Sequence, residues 1–234
     1  MSGLFITGTD TGVGKTYVAC LIIKQLRAAG LRVAPYKPVC SGAERDAQGR
    51  PVWGDVEQLA AASGCLVPPD RLCPQTFDAP LAPPVAAANE GKSVDERLLR
   101  DGFDWLQKRF DLVIVEGAGG LLSPLGASST SADLAKDLGL PVIIVSADRL
   151  GMINHTLLTV EAAVTRAIEV SGVILSRTTA DRDGSEAANL SQLQRFCDVP
   201  ILGQVEFGGT DLLRPGGRAA RIDFRSLAVT DRSR

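Results

Sequence analysis

Residues 4–16 read LFITGTDTGVGKT, and this segment limits what the chain can fold into more than any other. Leu4, Phe5 and Ile6 form a short apolar run of the kind a fully buried parallel strand shows. Gly8, Gly12 and Gly14 follow, then Lys15 and Thr16, then Val18, Leu21, Ile22 and Leu26 at helical spacing. Strand, glycine-rich turn, Lys-Thr and helix make the context a phosphate-binding loop requires. Without a Cβ to block positive φ or close approach, such a turn can point its N–H groups inward around phosphate oxygens. The helix N-terminus behind it favours the same anion. Lys15 is placed to reach the β- and γ-phosphates as a point charge, and the Thr16 hydroxyl to sit on Mg²⁺. The common spacing has glycine at position 9, where this chain has Thr9, with Gly8 one earlier. A plain β–α turn with a chance Lys-Thr is the competing reading, and the flanking strand and helix count against it.

The 234 residues, 45% of them hydrophobic, suit one generous α/β domain, expected over 1–225 with a flexible tail at 226–234. A formal net charge of -2 gives no reason to expect nucleic acid or an anionic membrane as partner. No run approaches the ~20 apolar residues of a membrane span. The first strand begins almost at Met1, which leaves no room for a signal peptide. Cys20, Cys40, Cys65, Cys73 and Cys197 are scattered and show no CxxC spacing, so reduced, mostly buried thiols in a cytoplasmic protein are expected.

Gly30 is expected to close the first helix. Residues 31–36 read as a second strand that runs into Lys37. A lysine at the carboxyl end of a parallel strand points into the crevice where open α/β sheets bind ligands. A solvated strand-end lysine fits the spacing equally well. Residues 39–53 read as a polar loop. Asp55 precedes a helical pattern (Val56, Leu59, Ala60, Ser63) and suits an N-cap, a role compatible with a carboxylate on the Mg²⁺ side. The proline-rich span 67–84 cannot be a central strand or a helix interior, and is either disordered or a covering loop. Residues 95–109 predict an amphipathic helix with Leu98, Leu99, Trp105 and Leu106 inward.

Residues 111–120 read DLVIVEGAGG, a buried strand delivering Glu116 to the carboxyl edge of the sheet. An acidic residue there serves the metal side of a triphosphate; a carboxylate left at a strand end for solvation is the bland alternative. A Ser/Gly/Pro loop (121–131), a short helix (132–138) and a strand (141–147) follow. Residues 148–154 then turn over Gly151, and 155–170 read as a helix. His155, the only histidine, reads as a cap or packing group. A strand at 172–176, a charged loop at 177–184, a helix at 185–196 and a last strand at 200–205 complete the alternation. The stretch from Gly208 onward is Arg- and Gly-rich and expected to be partly flexible. Strands alternating with helices predict a doubly wound, mainly parallel α/β sheet.

Four segments together resemble the dethiobiotin synthetase family: GTDTGVGKT at 8–16, YKPVCSG at 36–42, VEGAGG at 115–120 and GMINHTLLT at 151–159. Order and spacing agree over roughly the first three quarters of the chain. The resemblance implies a three-layer α/β/α fold like that of P-loop NTPases. It implies an ATP- and Mg²⁺-dependent ligase of the biotin pathway that joins 7,8-diaminononanoate and CO₂ (or bicarbonate) through a carbamate and a carbamic-phosphoric anhydride, as a homodimer. Carried over, Lys15, Lys37 and Thr11 are catalytic, contacting the phosphoryl groups and the carbamate. The nucleotide is expected on Gly12, Val13, Gly14, Lys15, Thr16, Tyr17, Asp55, Glu116, Gly117, Ala118, Gly119, Ser176 and Arg177. Thr16, Asp55 and Glu116 are implied as metal ligands. Ser41 and Gly119 would line the diamine, and Gly151, Met152, Ile153 and Asn154 would receive its carboxylate across the dimer interface.

Two places depart from the family pattern. Ser176-Arg177 stands where family members often carry Asn-Asp, and Glu206-Phe207 replaces a Pro-aromatic pair, which leaves another nucleoside triphosphate open beside ATP. Two rivals share the fold. A partitioning-type ATPase would carry a second lysine early in the loop, at the position of Asp10. A cobyrinate-type amidating ligase would add a glutamine-hydrolysing domain for which the chain has neither room nor motif. A purely structural role leaves Lys37 and Glu116 unexplained.

Overall fold

A computed structural model of the protein describes residues 2–181, 183–214 and 222–228. The expected flexible tail lies outside the described residues from 229 onward. β1 (Gly3–Gly8) is buried at every position, as a strand covered on both faces must be. The phosphate-loop candidate leads into α1 (Lys15–Ala28), which buries Val18, Ala19, Ile22, Ile23 and Leu26 along one stripe. Gly30 ends it as expected, its N–H donating to the Arg27 carbonyl at 2.9 Å. β2 (Val33–Tyr36) then delivers Lys37.

The span expected to be a plain polar loop contains three two-residue strands: β3 (Cys40–Ser41), β4 (Glu44–Arg45) and β5 (Pro51–Val52), the last two paired antiparallel. α2 (Gly54–Ala62) follows. The proline-rich span takes up regular structure, and its residues Pro80 to Pro83 border the site. Pro69 opens α3 (Pro69–Leu72), and Pro83 and Pro84 open α4 (Pro83–Asn89). A first helical turn has no use for the missing N–H, so proline initiates there what it would break further in. Between them β6 (Thr76–Phe77) pairs parallel with β3.

In α5 (Glu96–Gln107) the Asp95 carboxylate caps the N–H groups of Arg97 and Leu98. The inner face is Leu99, Phe103 and Leu106. Leu98 is exposed, which corrects the predicted face, whereas Trp105 is half-buried and packs against the core as expected. The outer face of Trp105 carries the Arg109 guanidinium 4.1 Å from its ring centroid. β7 (Leu112–Glu116), α6 (Ser131–Leu138) and β8 (Val142–Ala147) follow their predicted positions. α7 (Met152–Thr165) starts three residues before the predicted helix and stops earlier, because Val170 already belongs to β9 (Val170–Ser176). α8 (Glu186–Phe196), β10 (Ile201–Val205) and α9 (Phe224–Leu227) close the order.

The six long strands form one sheet in the order β10-β9-β8-β1-β7-β2, with every pairing parallel. The fold is therefore α/β, a doubly wound parallel sheet in a three-layer α/β/α arrangement. β1 lies between β7 and β8, where the winding reverses, so its carboxyl end opens on the crevice at which such sheets take ligands. Glu116 and Lys37 leave the sheet on one side of that loop; the ends of β9 and β10 lie on the other.

Candidate active site

Gly14 enters α1 with φ +91°, and a Cβ on it would stand 2.4 Å from the Ser176 Oγ. Glycine is therefore required twice over, for its conformation and for the contact between loop and β9. Lys15 Nζ donates to the Asp10 carbonyl at 2.9 Å, so the lysine curls back over the loop it follows. Its pKa is lowered, first by burial and then by the positive charge of Lys37, against the pull of Glu116, Asp55 and Asp10.

Lys37 is the most constrained charge in the site. Its Nζ donates to Glu116 Oε1 at 2.6 Å and to Asp55 Oδ2 at 2.8 Å. The Lys37 and Glu116 side chains are only 3% and 1% exposed. Burial alone would lower the pKa of Lys37, but Glu116 and then Asp55 reverse that and hold it above the ordinary lysine value. Burial opposes ionisation of Asp55 too, and the charge and hydrogen bond of Lys37 outweigh it, leaving its pKa depressed. Thr16 Oγ1 donates to the same Glu116 Oε1 at 2.8 Å. Glu116 Oε2 is buried and has no hydrogen-bond partner. Asp55 is not the N-cap: Trp53 holds that position without a side-chain bond, and Asp55 sits in the first turn with its carboxylate turned to Lys37. A buried ammonium needs anions more than a helix end needs a cap.

One cavity of about 1060 Å³ joins these groups. Of the expected residues, Thr11, Gly12, Gly14, Lys15, Thr16 and Tyr17 border it on the loop side. Lys37, Ser41, Asp55, Glu116, Ala118 and Gly119 border it beyond β7, and Ser176 and Arg177 at the end of β9. Val13 is not in its wall; it is buried beneath the loop beside Gly8. Gly117 also lies behind the wall, packed on the Phe5 ring, with its carbonyl 3.5 Å from Lys37 Nζ. Gly151, Met152, Ile153 and Asn154 do not border the cavity of their own chain. Met152 is buried under the start of α7, whereas Gly151 and Asn154 are exposed.

Sequence reasoning missed several wall residues. Pro80, Leu81, Ala82 and Pro83 form a flap held by Ser41 Oγ, which donates to the Leu81 carbonyl at 2.6 Å. Their signal was the density of prolines. Ser123 Oγ accepts from Gly120 N at 2.8 Å and abuts Gly119; its loop carries no spacing that marks it. Cys40 also lines the wall, its thiol pushed up to about 11 chiefly by burial, so it is not a nucleophile at neutral pH. Phe207 and Gly208 complete the far end.

A hydroxyl and two carboxylates beside the glycine-rich loop form a hard-oxygen set of the kind Mg²⁺ takes together with phosphate oxygens and water. The partnerless Glu116 Oε2 is the atom that fits such an ion. Among the described residues no group of three or more His, Cys, Asp and Glu could hold a metal alone, so phosphate or water oxygens would have to complete the shell.

A family model described as an AAA domain matches residues 2–209. The ATP-dependent dethiobiotin synthetase BioD of Anaeromyxobacter dehalogenans (strain 2CP-C) is 48% identical over 196 residues, 84% of this chain and 86% of that one. BioD of Rhodopirellula baltica is 39% identical over 229 residues, 92% of this chain and 90% of its own. Among solved structures, the MinC:MinD cell division protein complex of Aquifex aeolicus matches with a TM-score of 0.51 at 13% identity, covering 88% of this chain and 81% of that one, which is a likeness of fold alone. With relatives this similar over most of both lengths, the chain belongs to the ATP-dependent dethiobiotin synthetase family.

Proposed function

We propose that the chain carboxylates 7,8-diaminononanoate with CO₂ and closes the ring to dethiobiotin at the expense of ATP, in biotin biosynthesis. The observation that carries this reading is Lys37, buried between Glu116 and Asp55 and sharing Glu116 Oε1 with the Thr16 hydroxyl. A substrate amine adds CO₂ and loses a proton to give a carbamate. A carbamate oxygen then attacks the γ-phosphorus and ADP leaves, forming the mixed anhydride. The neighbouring amine attacks the anhydride carbonyl, phosphate leaves, and the cyclic urea is complete.

The nucleophile and the phosphate are both anions, so their repulsion must be cancelled. Lys15 and Lys37 supply that field and Thr11 a further donor; phosphoryl transfer needs little more than positioning and electrostatics. Thr16, Asp55 and Glu116 would hold Mg²⁺, which when bound neutralises charge on the β- and γ-phosphates. Gly12, Gly14 and Tyr17 would enclose the phosphates, with Val13 supporting the loop from beneath and Ala118 opposite in front of Gly117, and Ser176 and Arg177 would adjoin the rest of the nucleotide. Ser41 and Gly119 would flank the diamine, whose second amine is held beside the anhydride so that ring closure is effectively intramolecular. Gly151, Met152, Ile153 and Asn154 would bind the substrate carboxylate of a second copy's site, in a homodimer. Leu150, 78% exposed, and the exposed Leu158 and Val164 of α7 support such an interface. No described helix is long and apolar enough to cross a membrane, and we place the reaction in the cytoplasm.

The partitioning-type alternative is disfavoured by Asp10, which carries a carboxylate where that reading needs a lysine. Phosphate release from ATP, measured with and without diaminononanoate plus bicarbonate, tests the proposal. Dependence on both supports it. Release with neither, stimulated by a macromolecule, points to a nucleotide switch.

A further inference from the structure

The sheet order divides the cavity into two ends. Lys37 and Glu116 stand on the β7–β2 side of the phosphate loop, while Ser176, Arg177, Thr178, Phe207 and Gly208 wall the side over β9 and β10. If the loop holds the phosphates and the chemistry lies toward β7, the base must lie over β9 and β10. Ser176 cannot do much to read it. Its side chain is 2% exposed and packed on Gly14, as a spacer between strand and loop. Arg177 is the first polar side chain beyond it.

Arg177 is unusually fixed for an arginine at a cavity wall. Its side chain is 10% exposed, and Nη1 is 2.9 Å from Glu206 Oε2. Its backbone N–H donates to the Val205 carbonyl at 2.9 Å, tying the end of β9 to that of β10. The loop after β10 is pinned in turn by Tyr17, whose hydroxyl donates to the Gly209 carbonyl at 2.8 Å. Within that frame Arg177 Nε is a buried donor without a hydrogen-bond partner, which leaves the guanidinium only partly satisfied by Glu206. Phe207, 56% exposed, lies in the same wall and offers a flat apolar face.

Resting on the nucleotide reading above, we propose that Arg177, held by Glu206, is the base-reading residue of this site and makes it accept guanine nucleotides at least as well as adenine nucleotides. A guanidinium is all donor. Guanine presents N7 and O6, two acceptors side by side, which two parallel N–H groups of arginine match. Adenine places an N6 amino donor beside N7 and another face of the same donor beside N1, so a paired donor always meets a donor there. Phosphoryl transfer itself is indifferent to the base, so such a preference leaves the chemistry at Lys37 untouched.

The test is equilibrium titration of the full chain with ADP and GDP in Mg²⁺ buffer, alongside kcat/KM for phosphate release from ATP and GTP with diaminononanoate and bicarbonate. GDP is expected to bind at least as tightly as ADP. In Arg177→Gln, whose amide offers a donor and an acceptor, the affinity ratio of GDP to ADP should fall by roughly tenfold or more. Arg177→Lys keeps the charge, loses the fork, and should lower the ratio as well. Tighter binding of ADP by the unaltered chain overturns the inference, and so does an unchanged ratio in Arg177→Gln. The unaltered chain decides alone if the variants fail to fold. A GDP preference without diamine-dependent phosphate release sustains this inference and removes the proposed function; a chain that binds neither diphosphate removes both.

Discussion

Lys37 and Lys15 carry the same charge into the same cavity but are held by different forces. Lys37 is neutralised by two carboxylates, one of them almost inaccessible, whereas Lys15 Nζ bonds only a backbone carbonyl. Removing one member of a buried pair leaves the other uncompensated, which costs about 3–5 kcal/mol. Lys37→Ala should therefore lower both turnover and stability, because Glu116 is left buried without its counter-charge. Lys15→Ala should lower turnover with little change in stability, since its own pKa is already depressed by burial and by Lys37. Each change is expected to reduce the rate of phosphate release by at least ~10²-fold. Single-turnover phosphate release and urea unfolding, run on both variants, separate the two effects. Wild-type turnover in either variant would reject its role, and equal stability losses in both would reject the asymmetry.

At the scale of elements, α6 shows how a local signal survives into the fold. Thr130 Oγ1 accepts from Asp133 N at 3.4 Å, while the Asp133 carboxylate accepts from Thr130 N at 2.8 Å, a reciprocal capping box. The Thr130 hydroxyl and then its N–H hold the Asp133 pKa below the ordinary value. A depressed carboxylate contributes stability above its unfolded pKa, ~3.9, and loses it as pH falls through the folded value. Thr130→Ala should cost about 1 kcal/mol at neutral pH, with the deficit against the unaltered chain shrinking once pH drops below ~4. Urea unfolding at pH 7 and pH 3.5 checks this; a deficit that stays constant would show that Asp133 does not contribute through its charge. Strand ends were legible in the same local way, since an apolar run that stops at Lys37 or Glu116 names its own terminus. The bond between those two residues, 79 positions apart, was not. It depends on β7 lying between β1 and β2, which no local pattern encodes. Asp55 misled because first-turn and N-cap acids look alike in sequence, and only the buried ammonium decides between them. On α5 the buried face runs through Phe103 rather than Leu98, a choice between neighbouring apolar positions that only the packing against the sheet makes.

At the scale of the whole molecule, the sheet order leaves one group of expected residues away from the cavity they are meant to serve. Gly151, Met152, Ile153 and Asn154 follow β8, while Lys37 and Glu116 lie on the far side of β1. In the homodimer we propose, a second copy would supply the start of α7 and make a site that neither chain completes alone. That arrangement has a consequence no single-chain site shares. Asn154→Asp, at an exposed position, should block binding of the substrate carboxylate by like-charge repulsion without disturbing the core. Lys37→Ala should block chemistry in the other half of the site. Mixed one to one and allowed to exchange, the two inactive chains would form mixed dimers in which one of the two sites has both its Lys37 and its Asn154. With random exchange, about one quarter of wild-type activity per chain should return. Recovery after co-refolding, set against the two variants refolded separately, is the measurement. If the mixture is no more active than its parts while the dimer is seen by sedimentation, the carboxylate is bound within one chain and the cross-subunit assignment of Gly151 to Asn154 is wrong.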